Sequence, residues 1–187
     1  MILPAQQIRK LACEKQMIAP FLERGVSAGK TYGLGPCTYD VRIKQRVTIY
    51  PWNLAYRYRF YKAIDWVRSR FGEPLRHEHL RLGFTLASTI ETVAIPDDVA
   101  AHVMDKSSWA RKGLSVYNTH FDPGFKGYPT LELANNGNKI IDIPEGIAIC
   151  QFKFEWLTEA TEMPYIGKYQ NQPDQPVEAK VGVDVWA

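Results

Sequence analysis

Cysteine and long apolar runs are scarce in this sequence of 187 residues. The three cysteines, Cys13, Cys37 and Cys150, lie far apart, and none belongs to a C-x-x-C pair. This usage predicts reduced thiols, as in a cytoplasmic protein, and argues against a structural zinc site. No window reaches the run of about 18 apolar residues expected of a membrane span, and the N-terminal segment lacks the apolar run of a secretory signal. We therefore expect a cytoplasmic protein with no membrane contact.

Common catalytic and cofactor-binding signatures are also missing. The sequence has no P-loop, no Rossmann glycine fingerprint, no Ser-His-Asp motif and no zinc-deaminase motif of the H-x-E and P-C-x-x-C kind. The segment His77–His79 has no nearby ligands at metal spacing, so we interpret it as a surface turn and expect no metal held by the chain. A formal net charge of +3 says little about partners, and we expect no nucleic acid.

Hydrophobic residues, at 45% of the sequence, suffice for one globular domain over residues 1–187, with residues 164–187 as a polar C-terminal arm and tail. The spacing of apolar residues predicts a short helix over 4–16 and an amphipathic helix over 54–71. The segments 38–52, 84–96 and 114–157 contain many short strand-like stretches that end at Pro, Gly, Asn or Asp. This pattern predicts a mainly β fold, either a barrel or a jelly roll.

The stretch KSSWARKGL, residues 106–114, concentrates cations and hydroxyls just before a glycine. A solvated turn would explain the composition. An anion-binding turn would also explain it, since cations, hydroxyls and backbone N–H groups together bind phosphate. Trp109 lies among these charged residues and is predicted to be buried, which favours a packed site over a solvated turn.

The segment 120–135 combines a tight turn with a strand. Asp122 begins the turn DPG, which places the ring of Phe125 where it can stack on a ligand. In the strand that follows, Thr130 and Glu132 share one face, while the leucines on either side of Glu132 share the other. Glu132 is then either an ordinary solvent-facing residue or, if its face lines a pocket, a carboxylate able to move protons.

Residues 164–172, PYIGKYQNQ, carry a cation, two phenols and an amide. A disordered tail is one interpretation. Tyr165 and Tyr169, with little net charge around them, favour an ordered arm instead.

Taken together, these motifs resemble the dCTP deaminase branch of the dUTPase-like superfamily. The family pattern runs through strand, turn and arm motifs in a fixed order, and all of them occur here in that order. The matching segments are TYDVRI (38–43), PDDV (96–99), KSSWARKGL (106–114), FDPGFKGYPTLEL (121–133), GIAICQ (146–151) and GKYQNQ (167–172).

The resemblance implies a distorted β-barrel or jelly roll that assembles as a homotrimer, with active sites between subunits and the arm closing over the nucleotide. It implies hydrolytic deamination of a deoxycytidine nucleotide, most simply dCTP to dUTP and ammonia. No zinc takes part in this scheme, and Mg²⁺ is carried by the triphosphate.

The resemblance also assigns roles to residues. Glu132 is the proton shuttle, while Ser107 and Arg111 position the water and stabilise developing charge. The residues implied in nucleotide binding are Lys106, Ser108, Asp122, Phe125, Gln151, Tyr165, Lys168, Tyr169 and Gln172.

This chain departs from the family pattern at the turn. Lys106 replaces the usual Arg and Asp105 the usual Gly, and the segment 114–122 is about two residues shorter than in the best-known deaminases. Two alternatives therefore stay open. One is a dUTPase, or an enzyme that both deaminates dCTP and cleaves dUTP. The other is a nucleotide-binding regulator without catalytic activity, against which Glu132 argues.

Overall fold

A computed structural model of the chain describes residues 1–52, 81–117 and 119–180. The helix predicted over 54–71 and the predicted turn at His77–His79 lie outside these residues. The described residues contain two helices, α1 (Ala5–Lys15) and the one-turn α2 (Ser107–Ala110). Apolar residues of α1 recur at helical spacing, and Ile8, Leu11 and Ala12 are buried, which confirms the predicted N-terminal helix.

Short strands make up the rest of the described core. They are β1 (Ile18–Ala19), β2 (Gly25–Ser27), β3 (Lys30–Leu34), β4 (Thr38–Arg42), β5 (Val47–Tyr50), β6 (Arg81–Leu82), β7 (Phe84–Ser88), β8 (Thr92–Ala94), β9 (Val99–Asp105), β10 (Leu114–Val116), β11 (His120–Phe121), β12 (Lys126–Gly127), β13 (Thr130–Asn135), β14 (Ile141–Ile143) and β15 (Ala148–Trp156).

The largest sheet has six strands in the order β11-β9-β15-β4-β3-β2. Its centre is β15, which pairs antiparallel with both β4 and β9. Tyr39 of β4 and Phe152 and Phe154 of β15 are fully buried, because alternate residues of these strands face the core. The sheet places the end of β9, and α2 after it, beside β15.

A smaller sheet, in the order β10-β13-β7, carries the residues of the pocket described below. In its register Leu131 lies opposite Ala87, and Glu132 lies opposite Leu86. Leu131 and Leu133 are both fully buried. The leucines therefore face the core, and Glu132 faces the other way.

Two further sheets, β1-β8-β12 and β14-β5-β6, complete the described strands. The four sheets do not close into one ring within the described part of the chain. The mainly β prediction is confirmed. The sequence interpretation missed β9 and the hairpin of β2 and β3, and residues 157–180 form no strand.

Candidate active site

A pocket of about 660 Å³ opens beside β13 and beneath the C-terminal arm. Strands β7, β11 and β13 and the arm all contribute to its wall. Six of the residues predicted from the sequence line this pocket: Asp122, Phe125, Glu132, Tyr165, Tyr169 and Gln172.

Glu132 is half-buried in this wall, and its buried Oε2 has no hydrogen-bond partner among the described residues. Burial raises the pKa of Glu132 above its ordinary value, because the charged form loses hydration. The pocket-facing interpretation of Glu132 is therefore the one that the structure supports. A carboxyl group in this setting can take and return a proton closer to neutral pH than an exposed one.

The turn that begins at Asp122 forms part of the pocket wall. The backbone N–H of Phe125 donates to the carbonyl of Asp122 over 3.1 Å, and Gly124 has a φ of 86°. A Cβ on Gly124 would lie 2.7 Å from the Cβ of Pro164 and 2.9 Å from the backbone nitrogen of Tyr165. Glycine at this position therefore allows both the left-handed turn and the close approach of the arm.

An aromatic cluster lines the same side of the pocket. The ring of Phe125 lies 5.0 Å from that of Phe121 and 5.7 Å from that of Tyr165, centroid to centroid. Phe125 is 5% exposed, so it is a core residue with one edge on the pocket. These rings offer an apolar surface for a sugar or base.

The arm is fastened to the start of β13, two residues from Glu132. Oε1 of Gln172 accepts from the backbone N–H of Thr130 over 3.2 Å and from its hydroxyl over 3.1 Å. Gln172 also forms a parallel bridge with Gly127, and the N–H of Val177 donates to the hydroxyl of Thr130 over 3.0 Å. An ordered arm, as predicted over 164–172, thus extends to Val177.

Lys168 and Lys180 connect two segments of the arm by reciprocal hydrogen bonds. The Nζ of Lys168 donates to the carbonyl of Lys180 over 2.8 Å, and the Nζ of Lys180 donates to the carbonyl of Lys168 over 2.7 Å. Lys168 does not line the pocket. Glu178 does, and no sequence signal marked it, because only the course of the arm brings it there.

A histidine pair at the pocket edge was also missed. His102 and His120 are register partners, and their Nδ1 atoms lie 3.3 Å apart. Nε2 of His120 lies 3.3 Å from Oδ1 of Asp122. Burial, His120 and Lys153 lower the pKa of His102. No local sequence signal marked this pair, because it depends on the pairing of β9 with β11, and β9 itself was not predicted.

Five predicted site residues lie elsewhere, on or near α2, and none of them lines the pocket: Lys106, Ser107, Ser108, Arg111 and Gln151. Strand β9 separates the two regions. Ala101 pairs with Phe121 of the pocket wall, and Asp105 ends the strand just before α2. The four-residue step from Ala101 to Asp105 corresponds to about 13 Å along an extended strand.

Lys106 is buried in an ion pair. Its Nζ donates to Oδ2 of Asp40 over 2.5 Å and to the hydroxyl of Thr31 over 2.8 Å. Nε2 of Gln151 donates to Oδ1 of the same aspartate over 2.8 Å. Lys106 and Gln151 are thus joined through Asp40, whose charge balances that of the ammonium group.

The other residues of α2 and Arg111 after it are partly exposed and partly buried. Ser107 and Arg111 are exposed, and the Oγ of Ser108 is buried with no hydrogen-bond partner in the described part of the chain. Trp109 is 3% exposed, as predicted, and its Nε1 donates to the carbonyl of Ala148 over 2.9 Å. The buried tryptophan explains how a highly charged turn is held against the sheet.

Asp105 fulfils a structural role. Its Oδ1 accepts from the backbone N–H of Val116 over 2.7 Å, and Oδ2 lies 3.4 Å from the hydroxyl of Ser115. The carboxylate therefore fixes β10 against the end of β9.

Within residues 1–52, 81–117 and 119–180, no cluster of three or more His, Cys, Asp or Glu side chains has an arrangement that could hold a metal ion. The helices of that same part of the chain are all too short or too polar to cross a membrane.

The sequence matches a family model described as dCTP deaminase-like over residues 2–157. It is 34% identical over 178 residues to the dCTP deaminase of Campylobacter jejuni, which covers 88% of this chain and 90% of the relative. It is 42% identical over 107 residues to the "dCTP deaminase, dUMP-forming" of Dictyoglomus turgidum, which covers 54% of this chain and 55% of that relative.

Among solved structures, the crystal structure of 2'-deoxycytidine 5'-triphosphate deaminase from Agrobacterium tumefaciens matches with a TM-score of 0.53 at 19% identity. The match covers 82% of this chain and 47% of that chain, so this chain spans about half of it. At this identity the likeness concerns the fold, and it supports the mainly β, dUTPase-like fold class predicted from the sequence.

Proposed function

The chain belongs to the dCTP deaminase-like family and is an enzyme of that class, and we propose that it converts dCTP and water to dUTP and ammonia with Glu132 as the proton shuttle. One observation carries the assignment of Glu132. Its Oε2 is buried in an aromatic pocket, and no described residue forms a hydrogen bond with it, so a ligand group can occupy that position.

In the proposed reaction, Glu132 takes a proton from a water molecule as the water oxygen attacks C4 of the cytosine ring. Glu132 then delivers this proton to N3. A second proton passes from the new hydroxyl to the amino group, the bond between C4 and nitrogen breaks, and ammonia leaves. One water is consumed and the carboxylate is regenerated. The raised pKa of Glu132 suits both halves of this transfer.

The remaining pocket residues are proposed to orient the nucleotide. Asp122 accepts a hydrogen bond from the 3′-hydroxyl, and the rings of Phe125 and Tyr169 pack around sugar and base, with Tyr165 behind them. Gln172 of the arm faces the phosphates, and Lys168, which lies outside the pocket, would have to release the carbonyl of Lys180 to reach them. Mg²⁺ enters as part of the substrate complex, because triphosphate oxygens bind this ion themselves.

Ser107 and Arg111 are proposed to reach the base from a second copy of the chain. In one chain they lie on α2, outside the pocket that contains Glu132. A homotrimer in which α2 of one copy faces the pocket of the next would bring the water-positioning groups to the carboxylate. Ser108 would then contact the phosphates.

A second candidate function is cleavage of the triphosphate after deamination, which releases dUMP and pyrophosphate. The relative from Dictyoglomus turgidum carries the description "dUMP-forming", which favours keeping this candidate. In that reaction Asp122, which is exposed at the pocket edge, would direct a water molecule at phosphorus.

The test is one incubation of the purified protein with dCTP and Mg²⁺, followed by chromatography and an ammonia assay. We expect equimolar dUTP and ammonia. Release of dUMP and pyrophosphate would select the second candidate. Cleavage of added dUTP with dCTP unchanged would leave a dUTPase, and tight binding without turnover of any pyrimidine nucleotide would leave a regulator.

A further inference from the structure

Two lysines surround the ring of Trp109. The Nζ of Lys30 lies 4.5 Å from the ring centroid, and that of Lys112 lies 4.9 Å from it. Arg111 follows Trp109 by two residues and is exposed. Within the described residues none of these three cations forms an ion pair with a carboxylate, so the turn carries a local excess of positive charge.

Lys106 adds no exposed cation to this cluster. Its ammonium group is buried and paired with Asp40, although its charge still acts on Lys30. Removing one partner of such a pair would leave an uncompensated buried charge, which destabilises a folded protein. The family's turn cation is thus occupied by an internal carboxylate in this chain, and its charge is not available at the surface.

The position of Lys30 carries an electrostatic cost. Partial burial, then Lys112 and then Lys106 all lower its pKa, and no carboxylate acts in the other direction. The electron-rich ring of Trp109 offsets part of this repulsion by cation–π attraction. Because Nε1 of Trp109 is fixed by the carbonyl of Ala148, the ring is a rigid support for both ammonium groups.

A groove of about 700 Å³ adjoins this cluster. Trp109, Arg111, Lys112 and Lys139 line it. Asp142 also lines it, but both of its oxygens are bound by Arg46. The groove therefore presents positive charge with no free carboxylate among the described lining residues.

We propose that Lys30 and Lys112, held against Trp109, bind the phosphate chain of the nucleotide, and that Lys106 serves instead as the internal counter-ion of Asp40. The proposal rests on the nucleotide substrate of the proposed function. Two ammonium groups and the buried Oγ of Ser108, which has no hydrogen-bond partner among the described residues, are donors of the kind that bind a polyphosphate.

The experiment measures binding of inorganic tripolyphosphate by calorimetry, together with KM for dCTP and affinity for deoxycytidine. Lys30→Met and Lys112→Met should each weaken tripolyphosphate binding and raise KM by about 10-fold, the scale of one lost charge-assisted contact. Affinity for deoxycytidine, which has no phosphate, should stay unchanged. Lys10→Met, which removes an exposed cation from α1, is the matched control for net charge.

A paired variant, Asp40→Asn with Lys106→Met, removes both charges of the buried pair. It should keep its tripolyphosphate affinity within about threefold. A loss as large as that of the Lys30 and Lys112 variants would overturn the proposal. If the paired variant does not fold, the single lysine variants decide, since both positions keep the buried pair intact.

The outcome separates this proposal from the proposed function. If dCTP is deaminated and Lys30→Met and Lys112→Met bind tripolyphosphate as well as Lys10→Met does, the phosphate assignment is wrong and the function stands. If no pyrimidine nucleotide is deaminated but both variants lose tripolyphosphate affinity, the reverse holds.

Discussion

The Glu132 pocket and the α2 turn solve opposite electrostatic problems. The pocket buries the carboxyl group of Glu132 beside aromatic rings, and this burial raises its pKa. At the turn, Lys30 of β3 and Lys112 both lie against the ring of Trp109, and no described carboxylate pairs with either. Each region therefore lacks what the other would bring: a proton-transfer site needs positive groups to stabilise developing charge, and the cationic turn needs an anion.

The two regions also differ in how completely one chain builds them. The arm covers the pocket of its own chain and is fixed to Thr130 by Gln172 and Val177. The turn has no comparable cover within the described residues. In the proposed reaction the pocket of one copy meets the cationic turn of the next, and the variants below test each half.

The largest effect is expected at Glu132. Glu132→Gln keeps the shape and can still hydrogen-bond, but it cannot carry a proton, so the turnover number should fall by about 100-fold or more. Affinity for dCTP should change little, because the phosphates are bound elsewhere. Steady-state turnover and calorimetric binding on the same preparation provide the measurement.

Glu155→Gln is the matched control for that variant. Glu155 is also a strand glutamate, but it lies on β15 and pairs with Lys153 over 2.6 Å. Its turnover should equal that of the wild type. Near-normal turnover in a folded, dCTP-binding Glu132→Gln protein would show that Glu132 is not the proton shuttle.

The next largest effect is a recovery of activity. Glu132→Gln and Arg111→Ala should each be almost inactive, but co-expressed copies should regain about a quarter of wild-type activity, if random mixing pairs an intact pocket with an intact turn at that frequency. Co-expression of Glu132→Gln with the Glu132→Gln/Arg111→Ala double variant should recover nothing. No recovery in either mixture would place both residues in the site of one chain.

The pocket was more predictable from the sequence than the turn. Alternation in β13 put Glu132 on the opposite face of the strand from two leucines. The DPG sequence located the turn that carries Asp122 and Phe125. Both signals are local in the sequence. The burial of Trp109 was equally readable. Residue roles beyond this came from the resemblance to a family, which carried the fold class and the activity.

The charges of the turn could not be read in this way. Lys106 meets Asp40 across 66 residues, and Lys30 reaches Trp109 from a hairpin that the sequence interpretation missed. Strand β9, which connects the two regions, was missed because Val99, Ala100 and Ala101 are all buried, so its first half does not alternate. Pairings of this kind depend on tertiary packing, which leaves no local pattern.

A smaller effect is expected where the arm meets β13. Gln172→Ala removes the acceptor for the N–H and hydroxyl of Thr130, so the arm should cover the pocket less of the time. We expect KM for dCTP to rise by about 5- to 10-fold, as for the loss of one or two hydrogen bonds, with a smaller change in turnover number. Gln170→Ala is a comparison on the same arm, since Gln170 bonds to Gly124 and Lys126 rather than to β13.

If both variants raise KM equally, the contact of Gln172 with β13 contributes no more to dCTP binding than the other contacts of the arm. If only turnover falls in Gln172→Ala, the amide acts on the chemistry itself. Initial rates over a range of dCTP concentrations separate these outcomes.

The smallest effect concerns stability and contrasts two glutamates. Burial raises the folded-state pKa of Glu132 above its ordinary value of 4.5, so ionising it costs stability as pH rises through the folded-state pKa. Glu132→Gln avoids that cost. Its Tm should therefore match the wild type near about pH 4 and exceed it by a few degrees near about pH 8, at fixed protein concentration.

For Glu155 the predicted effect has the opposite sign, because its hydrogen bond with Lys153 lowers its pKa. The stability it contributes is present above the unfolded-state pKa and is lost as pH falls, so Glu155→Gln should melt slightly lower than the wild type at high pH, with the difference shrinking in acid. Melting curves of the three proteins across pH test both signs, and a Glu132→Gln protein that melts below the wild type at high pH would show that the carboxylate is stabilised in the folded chain rather than strained by burial.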